Sequence, residues 1–135
     1  MPHKQESILI IGAGLCGSLL ALRLGQRGFK VRVIEMRQDL RKVDISAGRS
    51  INLALSSRGL KAIKMVGLES KVESLCIPMY GRMIHDTKGN TFLSNYSGRE
   101  NEFINSISRE LLTSLLLDEA EALDNVTIEF EKRCK

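Results

Sequence analysis

The residues best suited to chemistry stand near the start of the chain. Gly12, Ala13, Gly14, Leu15, Cys16 and Gly17 form a G-x-G-x-x-G turn, and Glu35 follows 18 positions after the last glycine. Gly12 permits a sharp exit from a strand, Gly14 lets the backbone approach a pyrophosphate, and Gly17 lets helix and strand pack closely. A helix beginning at the turn would offer unpaired N–H groups and the positive end of its dipole to phosphate charge. A carboxylate at Glu35 would accept hydrogen bonds from both hydroxyls of a ribose and repel a 2′-phosphate. The chemistry is dinucleotide binding, with FAD or NAD favoured over NADP. These residues alone do not choose between FAD and NAD.

Such a turn works only if particular elements hold it, and the flanking sequence supplies them. Ile8, Leu9, Ile10 and Ile11 are an unbroken apolar run, as expected of a parallel strand buried on both faces. Over residues 15–27, Leu19, Leu20, Ala21 and Leu24 recur at helical spacing, and Gly28 closes the segment. Val31 to Glu35 reads as a second strand, and Ala21, Leu24, Gly28 and Val31 supply the small or apolar positions that the fingerprint packs on. Strand, glycine turn, helix and strand make a right-handed βαβ unit. A glycine turn can also pack helix on strand with no ligand, but the acid in register argues against that here.

Further along, residues 38–48 are polar and unpatterned, which predicts a loop. Residues 51–55 predict a short extended piece, and Ser56 or Ser57 caps a helix running to Val66, with Gly67 just past its end. Residues 79–92 have mixed β character around a turn at Lys88, Gly89 and Asn90. A helix beginning near Ser108 places Leu111, Leu112, Leu115, Leu116, Ala120 and Leu123 on one apolar face. Val126, Ile128 and Phe130 then alternate with Thr127, Glu129 and Glu131, the pattern of a strand near a sheet edge.

Composition limits the alternatives. The chain has 135 residues, enough for one domain with a proper core. Aromatic residues are 4% of it, there is no Trp, and the net charge of +4 is scattered, which argues against a nucleic-acid surface. Cys16, Cys76 and Cys134 lie far apart with no C-x-x-C, and His3 and His85 have no ligand neighbours at metal spacing. A reducing, cytoplasmic setting therefore fits better than a disulfide framework, and no metal site is expected. The apolar stretch at residues 8–25 is interrupted by Arg23 and four glycines, so it is read as neither an export signal nor a membrane span.

Three later segments choose the cofactor. Residues 48–56 read Gly-Arg-Ser-Ile-Asn-Leu-Ala-Leu-Ser, residues 77–85 read Ile-Pro-Met-Tyr-Gly-Arg-Met-Ile-His, and residues 106–110 read Ser-Ile-Ser-Arg-Glu. Together with the glycine turn and Glu35, these resemble the kynurenine 3-monooxygenases, a family of FAD-dependent aromatic hydroxylases. The resemblance runs in order from about Ile8 to the end. It implies a Rossmann-like α/β fold with a parallel sheet binding FAD, joined by the beginning of a β-rich substrate domain. On that division residues 1–75 and 104–135 belong to the FAD domain and residues 76–103 to the substrate domain. It also implies NADPH as co-substrate, with molecular oxygen supplying one atom to the ring of L-kynurenine to give 3-hydroxykynurenine.

The resemblance carries residue roles with it. Gly12, Gly14, Leu15, Cys16 and Gly17 would line the FAD pyrophosphate, and Glu35 would hold the adenosine ribose with Met36 and Arg37 beside it. Ala54, Arg109 and Arg49 match positions near FAD, and Arg82 and Tyr96 match the pair that holds the substrate carboxylate. Arg suits that task because its planar fork bonds both carboxylate oxygens. Cross-strand pairing is the alternative for Arg82 and Tyr96, and an ordinary surface position is the alternative for Arg109. No residue is assigned a catalytic role, and His85 reads as structural. Thr113 departs from the family, where a polar amide is usual. Two later glycine-containing FAD motifs of the class are not in this sequence, so the chain reads as a fragment expected to be inactive alone. Another flavin hydroxylase, or a non-catalytic nucleotide-binding module, remain the alternative functions, and the assembly state, a homodimer among the options, is not set by sequence.

Overall fold

The structure is a computed structural model in which residues 7–43 and 51–134 are described. Arg49 lies outside the described residues. The first element is strand β1 (Ser7–Ile11), followed by helix α1 (Leu15–Gln26) and strand β2 (Lys30–Ile34). After a 3-10 turn at Leu40–Lys42 come β3 (Asn52–Leu55), α2 (Ser57–Lys64) and α3 (Glu69–Glu73). Then β4 (Ile77–Met79), β5 (Gly81–His85), β6 (Thr91–Asn95), β7 (Ile104–Ser108), α4 (Arg109–Glu121) and β8 (Val126–Glu129) complete the order.

The strands form three sheets among the described residues. β1, β2 and β8 are parallel in that order, with Ile10 opposite Val33 and Val33 opposite Ile128. β3, β7 and β4 form an antiparallel sheet, and β5 and β6 an antiparallel hairpin. The hairpin turn contains Gly89 at φ +86°, where the expected Lys88-Gly89-Asn90 turn lies. The fold is α/β with the βαβ unit that the glycine turn requires.

Alternation explains the core. Ile10, Val31, Val33 and Val126 point to one face of the parallel sheet and are buried there beneath α1 and α4, which pack on each other. The opposite face is not covered by the described residues: Leu9 is 54% exposed and Ile11 64%. The expectation that β1 is buried on both faces is therefore corrected. Both helices lie on one side, so the apolar run is satisfied on that side only. Arg32 and Glu129 form an ion pair on neighbouring strands.

Helix α4 is also set differently from its sequence pattern. Ser108 caps it, accepting a hydrogen bond from the Leu111 N–H at 3.4 Å. Its buried residues are Leu112, Thr113, Leu116, Leu117 and Ala120, while Leu111 is half exposed. The inward face is rotated toward Thr113 and Leu117, because α4 must touch α1 and the sheet at once. Thr113 can occupy this face because its hydroxyl donates to the Arg109 carbonyl at 2.7 Å, which leaves no unpaired polar atom. Helix α2 stops at Lys64, shorter than expected, and α3 follows where no helix was expected.

Two polar nodes join distant segments. Asn125 donates from its side-chain nitrogen to the carbonyls of Gly25 and Phe29, at 2.8 and 2.7 Å, tying the end of α1 and the start of β2 to β8. Arg41 bonds Asp39, Asp118 and Glu121 and lies over the ring of Phe130, so the loop after β2 is anchored to the C-terminal end of α4. Asp39, the first of these partners, holds the Arg41 guanidinium well above its usual pKa, with burial opposing.

Candidate functional site

The site is built where β1 and β2 end, the position at which open α/β sheets bind ligands. Gly12 leaves β1 at φ +98°, in the left-handed region that favours glycine, and its N–H donates to the Ile34 carbonyl at 2.8 Å. The chain then turns directly into α1. Gly14 is the N-cap with no side-chain hydrogen bond, and the Ser18 N–H closes the first helical turn on the Gly14 carbonyl at 2.9 Å. The N–H groups of Leu15, Cys16 and Gly17 therefore belong to the first turn, which lacks intrahelical acceptors.

Gly17 decides how closely that turn sits on the strand. A Cβ at Gly17 would lie 1.9 Å from the Gly12 carbonyl oxygen, whereas a Cβ at Gly14 would meet nothing within 4 Å. The first glycine is needed inside the protein, and the second leaves an open approach from outside. Ser18, fully buried behind the turn, donates its hydroxyl to the Ala13 carbonyl at 3.0 Å and stiffens it.

Glu35 lies just past β2 and is 5% exposed. Its Oε2 accepts from the Ala13 N–H at 2.8 Å, joining acid and glycine turn directly. Its Oε1 accepts from the Arg37 N–H at 3.0 Å and from Arg37 Nε at 2.9 Å. The Arg37 guanidinium, first of all, together with these backbone N–H groups, lowers the Glu35 pKa to about 2 against the opposing effect of burial. The acid is thus ionised at neutral pH and fixed in place, as a receiver of ribose hydroxyls must be.

Gly12, Glu35 and Arg37 line a cleft of about 460 Å³ with Ile11, Ile34, Met36 and Lys132 to Cys134, while Gly14, Leu15, Cys16 and Gly17 are not among its lining residues. Met36 and Arg37 are exposed at its edge. The wall from Lys132 to Cys134 was not anticipated. It is held by hydrogen bonds from the Glu131 N–H to the Arg37 carbonyl at 3.1 Å and from the Lys132 N–H to the Glu35 carbonyl at 2.9 Å. The sequence offers only a weak signal for it, a basic pair directly after a strand, which acquires meaning once β8 is known to lie beside β2.

The other expected residues lie on the antiparallel elements. Ala54 is exposed on β3 opposite Ser106, and Arg109 begins α4 with its N–H on the Ile51 carbonyl at 3.2 Å. Arg109 makes no side-chain ion pair among the described residues. Arg82 pairs in register with Ser94, and the Tyr96 N–H continues the ladder onto the Tyr80 carbonyl at 2.9 Å. Tyr96 is therefore diagonal to Arg82 on one face of the hairpin. Tyr96 also borders a second cleft, of about 510 Å³, with Ser56, Ser57, Asn101 and Phe103, and Arg82 is not among its lining residues. His85 is exposed at the hairpin end. No group of residues suited to holding a metal ion occurs among the described residues, and no described helix is long and apolar enough to cross a membrane.

The cradle fits the adenosine half of a dinucleotide: an approachable backbone at Gly14, a helix start for the pyrophosphate, and an ionised carboxylate for the ribose. Known proteins resemble the chain along most of its length. The chain is 51% identical over 132 residues to a kynurenine 3-monooxygenase of Cytophaga hutchinsonii, covering 96% of this chain and 29% of that protein. It is 42% identical to the enzyme so named from Myxococcus xanthus, over 96% of this chain and 28% of the relative. A Sus scrofa kynurenine 3-monooxygenase is 46% identical over 94% of the chain and 27% of the relative. The chain thus spans well under a third of the length of each of these proteins.

Solved structures share the fold. A 2-methyl-3-hydroxypyridine-5-carboxylic acid oxygenase superposes with a TM-score of 0.72 at 22% identity, over 95% of this chain and 32% of that one. PqsL from Pseudomonas aeruginosa, described as a probable FAD-dependent monooxygenase, gives 0.70 at 23% identity, over 93% and 33%. The family described as FAD binding domain matches residues 5–135, which include the turn, α1, Glu35 and the strand that walls the cleft, and the chain belongs to that family.

Proposed function

We propose that this chain is the FAD-binding part of an NADPH-dependent kynurenine 3-monooxygenase. The observation that carries the reading is the identity of 42–51% to enzymes of that name along about 96% of the chain. The net reaction takes L-kynurenine, NADPH, a proton and oxygen to 3-hydroxykynurenine, NADP⁺ and water. When bound, FAD supplies the electron transfer from NADPH and the activation of oxygen.

This chain's residues bind and orient. The N–H groups at the start of α1 receive the pyrophosphate, and Glu35 receives the ribose, with Met36 and Arg37 beside the adenosine. Ala54 on β3 and Arg109 at the start of α4 approach FAD, and Arg49 is assigned to FAD by its match to the family alone. Arg109 opens the first turn of α4, where a cation opposes the helix dipole, so an anionic neighbour would suit it. Arg82 and Tyr96 hold the amino-acid carboxylate of kynurenine. In this reading residues 76–103 begin the substrate domain, the fragment alone does not turn over, and the protein works in the cytoplasm. A homodimer is the assembly included in the proposal.

The test uses the full-length protein. NADPH is expected to bleach the flavin absorbance faster when kynurenine is present, and faster with kynurenine than with a simple hydroxybenzoate. Replacing Arg82 by Ala is expected to weaken kynurenine binding at least about tenfold, the scale of a lost charge-assisted hydrogen bond, with flavin content unchanged. Unchanged kynurenine affinity in that variant removes Arg82 from the site. A preference for hydroxybenzoate would place the protein with a different aromatic hydroxylase.

A further inference from the structure

An ionised carboxylate has about four lone-pair positions for donors, two on each oxygen. In Glu35 all four are taken. Two go to backbone N–H groups, Ala13 on Oε2 and Arg37 on Oε1. The other two go to one guanidinium, with Arg37 Nε on Oε1 at 2.9 Å and Nη2 on Oε2 at 3.4 Å. A ribose diol gripped by this acid would place one O–H on each carboxylate oxygen. After the backbone has taken its share, the lone pairs left for the diol are the two that the Arg37 fork occupies. The fork and the diol are both two-point donors, and they exclude each other.

The two kinds of partner differ in mobility. The Ala13 and Arg37 N–H groups are part of the turn and the chain, so they stay. The Arg37 side chain is 70% exposed and makes no other side-chain ion pair among the described residues, while the Glu35 side chain is 7% exposed. The guanidinium can therefore swing into water at little cost to packing, and the carboxylate cannot follow it.

We propose that Arg37 is an exchangeable counter-ion that holds Glu35 in its binding rotamer and is displaced by the ribose diol of an entering adenosine nucleotide. This rests on the reading of the cleft as an adenosine site, and adds that Arg37 sets how strongly the site senses the diol. Each hydrogen bond the diol makes is offset by one the fork gives up. The acid therefore discriminates less between ribose and deoxyribose than a carboxylate held by backbone alone. Lys at this position would retain the charge without the two-point fork, and falls between the two cases.

The experiment compares ADP with 2′-deoxy-ADP by titration calorimetry on the protein and on Arg37→Ala and Arg37→Lys variants. The ratio of the two affinities is read, because any contact that Arg37 makes elsewhere on the nucleotide cancels in it. The ratio is expected to be about threefold in the unsubstituted protein. In Arg37→Ala it should rise to about thirtyfold, the difference between a neutral and a charge-assisted hydrogen bond, with Arg37→Lys between. Binding with the same ratio in all three proteins overturns the exchange and leaves the adenosine site standing. If none of them binds ADP at millimolar concentration, the adenosine site and the exchange fall together. The variants should lose only a few degrees of thermal midpoint, the scale of one solvent-screened ion pair, and a cooperative transition well above the titration temperature would show that the ratio does not reflect misfolding.

Discussion

Gly17→Ala is expected to destabilise the protein by about 3 kcal/mol, the upper end for an overpacked site, and to lower its thermal midpoint by about 10 °C. The added Cβ would lie 1.9 Å from the Gly12 carbonyl oxygen, 3.0 Å from the Gly12 carbonyl carbon and 3.5 Å from Ile10 Cγ2. The closest of these atoms is backbone, and Gly12 is held by its own hydrogen bond to Ile34, so no side chain can move aside to relieve the clash. Helix α1 would have to lift off β1 by more than 1 Å, carrying its first N–H groups away from the phosphate position. Gly14→Ala is the matching control. Gly14 sits at φ −74°, and its added Cβ meets nothing within 4 Å, so the fold should keep its midpoint while nucleotide affinity falls at least about tenfold through blocked approach. Thermal unfolding and ADP titration of both variants separate the roles. A midpoint for Gly17→Ala within about 2 °C of the parent, which corresponds to well under 1 kcal/mol here, would show that the helix is not seated by contact at that glycine.

The contrast between these two glycines shows what was readable from sequence. Strand, turn, helix and acid at residues 7–35 could be read because each depends on neighbours within a few positions, and the fingerprint encodes their spacing. The antiparallel hairpin at residues 81–95 was likewise marked by its glycine turn. What failed depends on partners far along the chain. β1 has the composition of a strand buried on two faces, but apolar residues report only that burial is tolerated, and which face is covered depends on where α1 and α4 pack. Helix α4 carries more leucines than one face can bury, so the choice between Leu111 and Leu117 is made by its seat on α1. The wall at Lys132 to Cys134 becomes part of the site only because β8 pairs with β2, a tertiary fact with no local signature. The fork of Arg37 on Glu35 is two residues apart in sequence. It still could not be foreseen, since it needs the side-chain rotamers and the backbone bond from Ala13.

Acid should reveal how much of the site's rigidity comes from Glu35. Its pKa is lowered from an ordinary 4.5 to about 2, chiefly by the Arg37 guanidinium. A carboxylate whose folded pKa lies below its unfolded value stabilises the fold fully above the unfolded value, and loses that contribution as pH falls toward the folded one. The window is therefore between about 4.5 and about 2. A shift of this size corresponds to about 3 kcal/mol at most. Water around the exposed Arg37 screens the pair, so about 1–2 kcal/mol is the expected share. Glu35→Gln keeps the shape of the side chain but puts an NH₂ where one carboxylate oxygen accepted two bonds, so either the Ala13 N–H or Arg37 loses its acceptor. The variant should be less stable than the parent by that amount at pH 7, and the gap should close as pH falls from about 4.5 toward about 2, the folded value. Asp39, Asp86 and Glu129 also have lowered pKa values, but they are common to both proteins and cancel in the comparison. ADP affinity should fall only about three- to tenfold at pH 7, because the bonds the diol makes to the acid are largely offset by those the Arg37 fork gives up. A stability gap that stays constant from pH 7 to pH 2.5, on the order of the window's lower limit, would mean that Glu35 contributes through shape alone. In that case its charge would not be what fixes the acid beside the glycine turn.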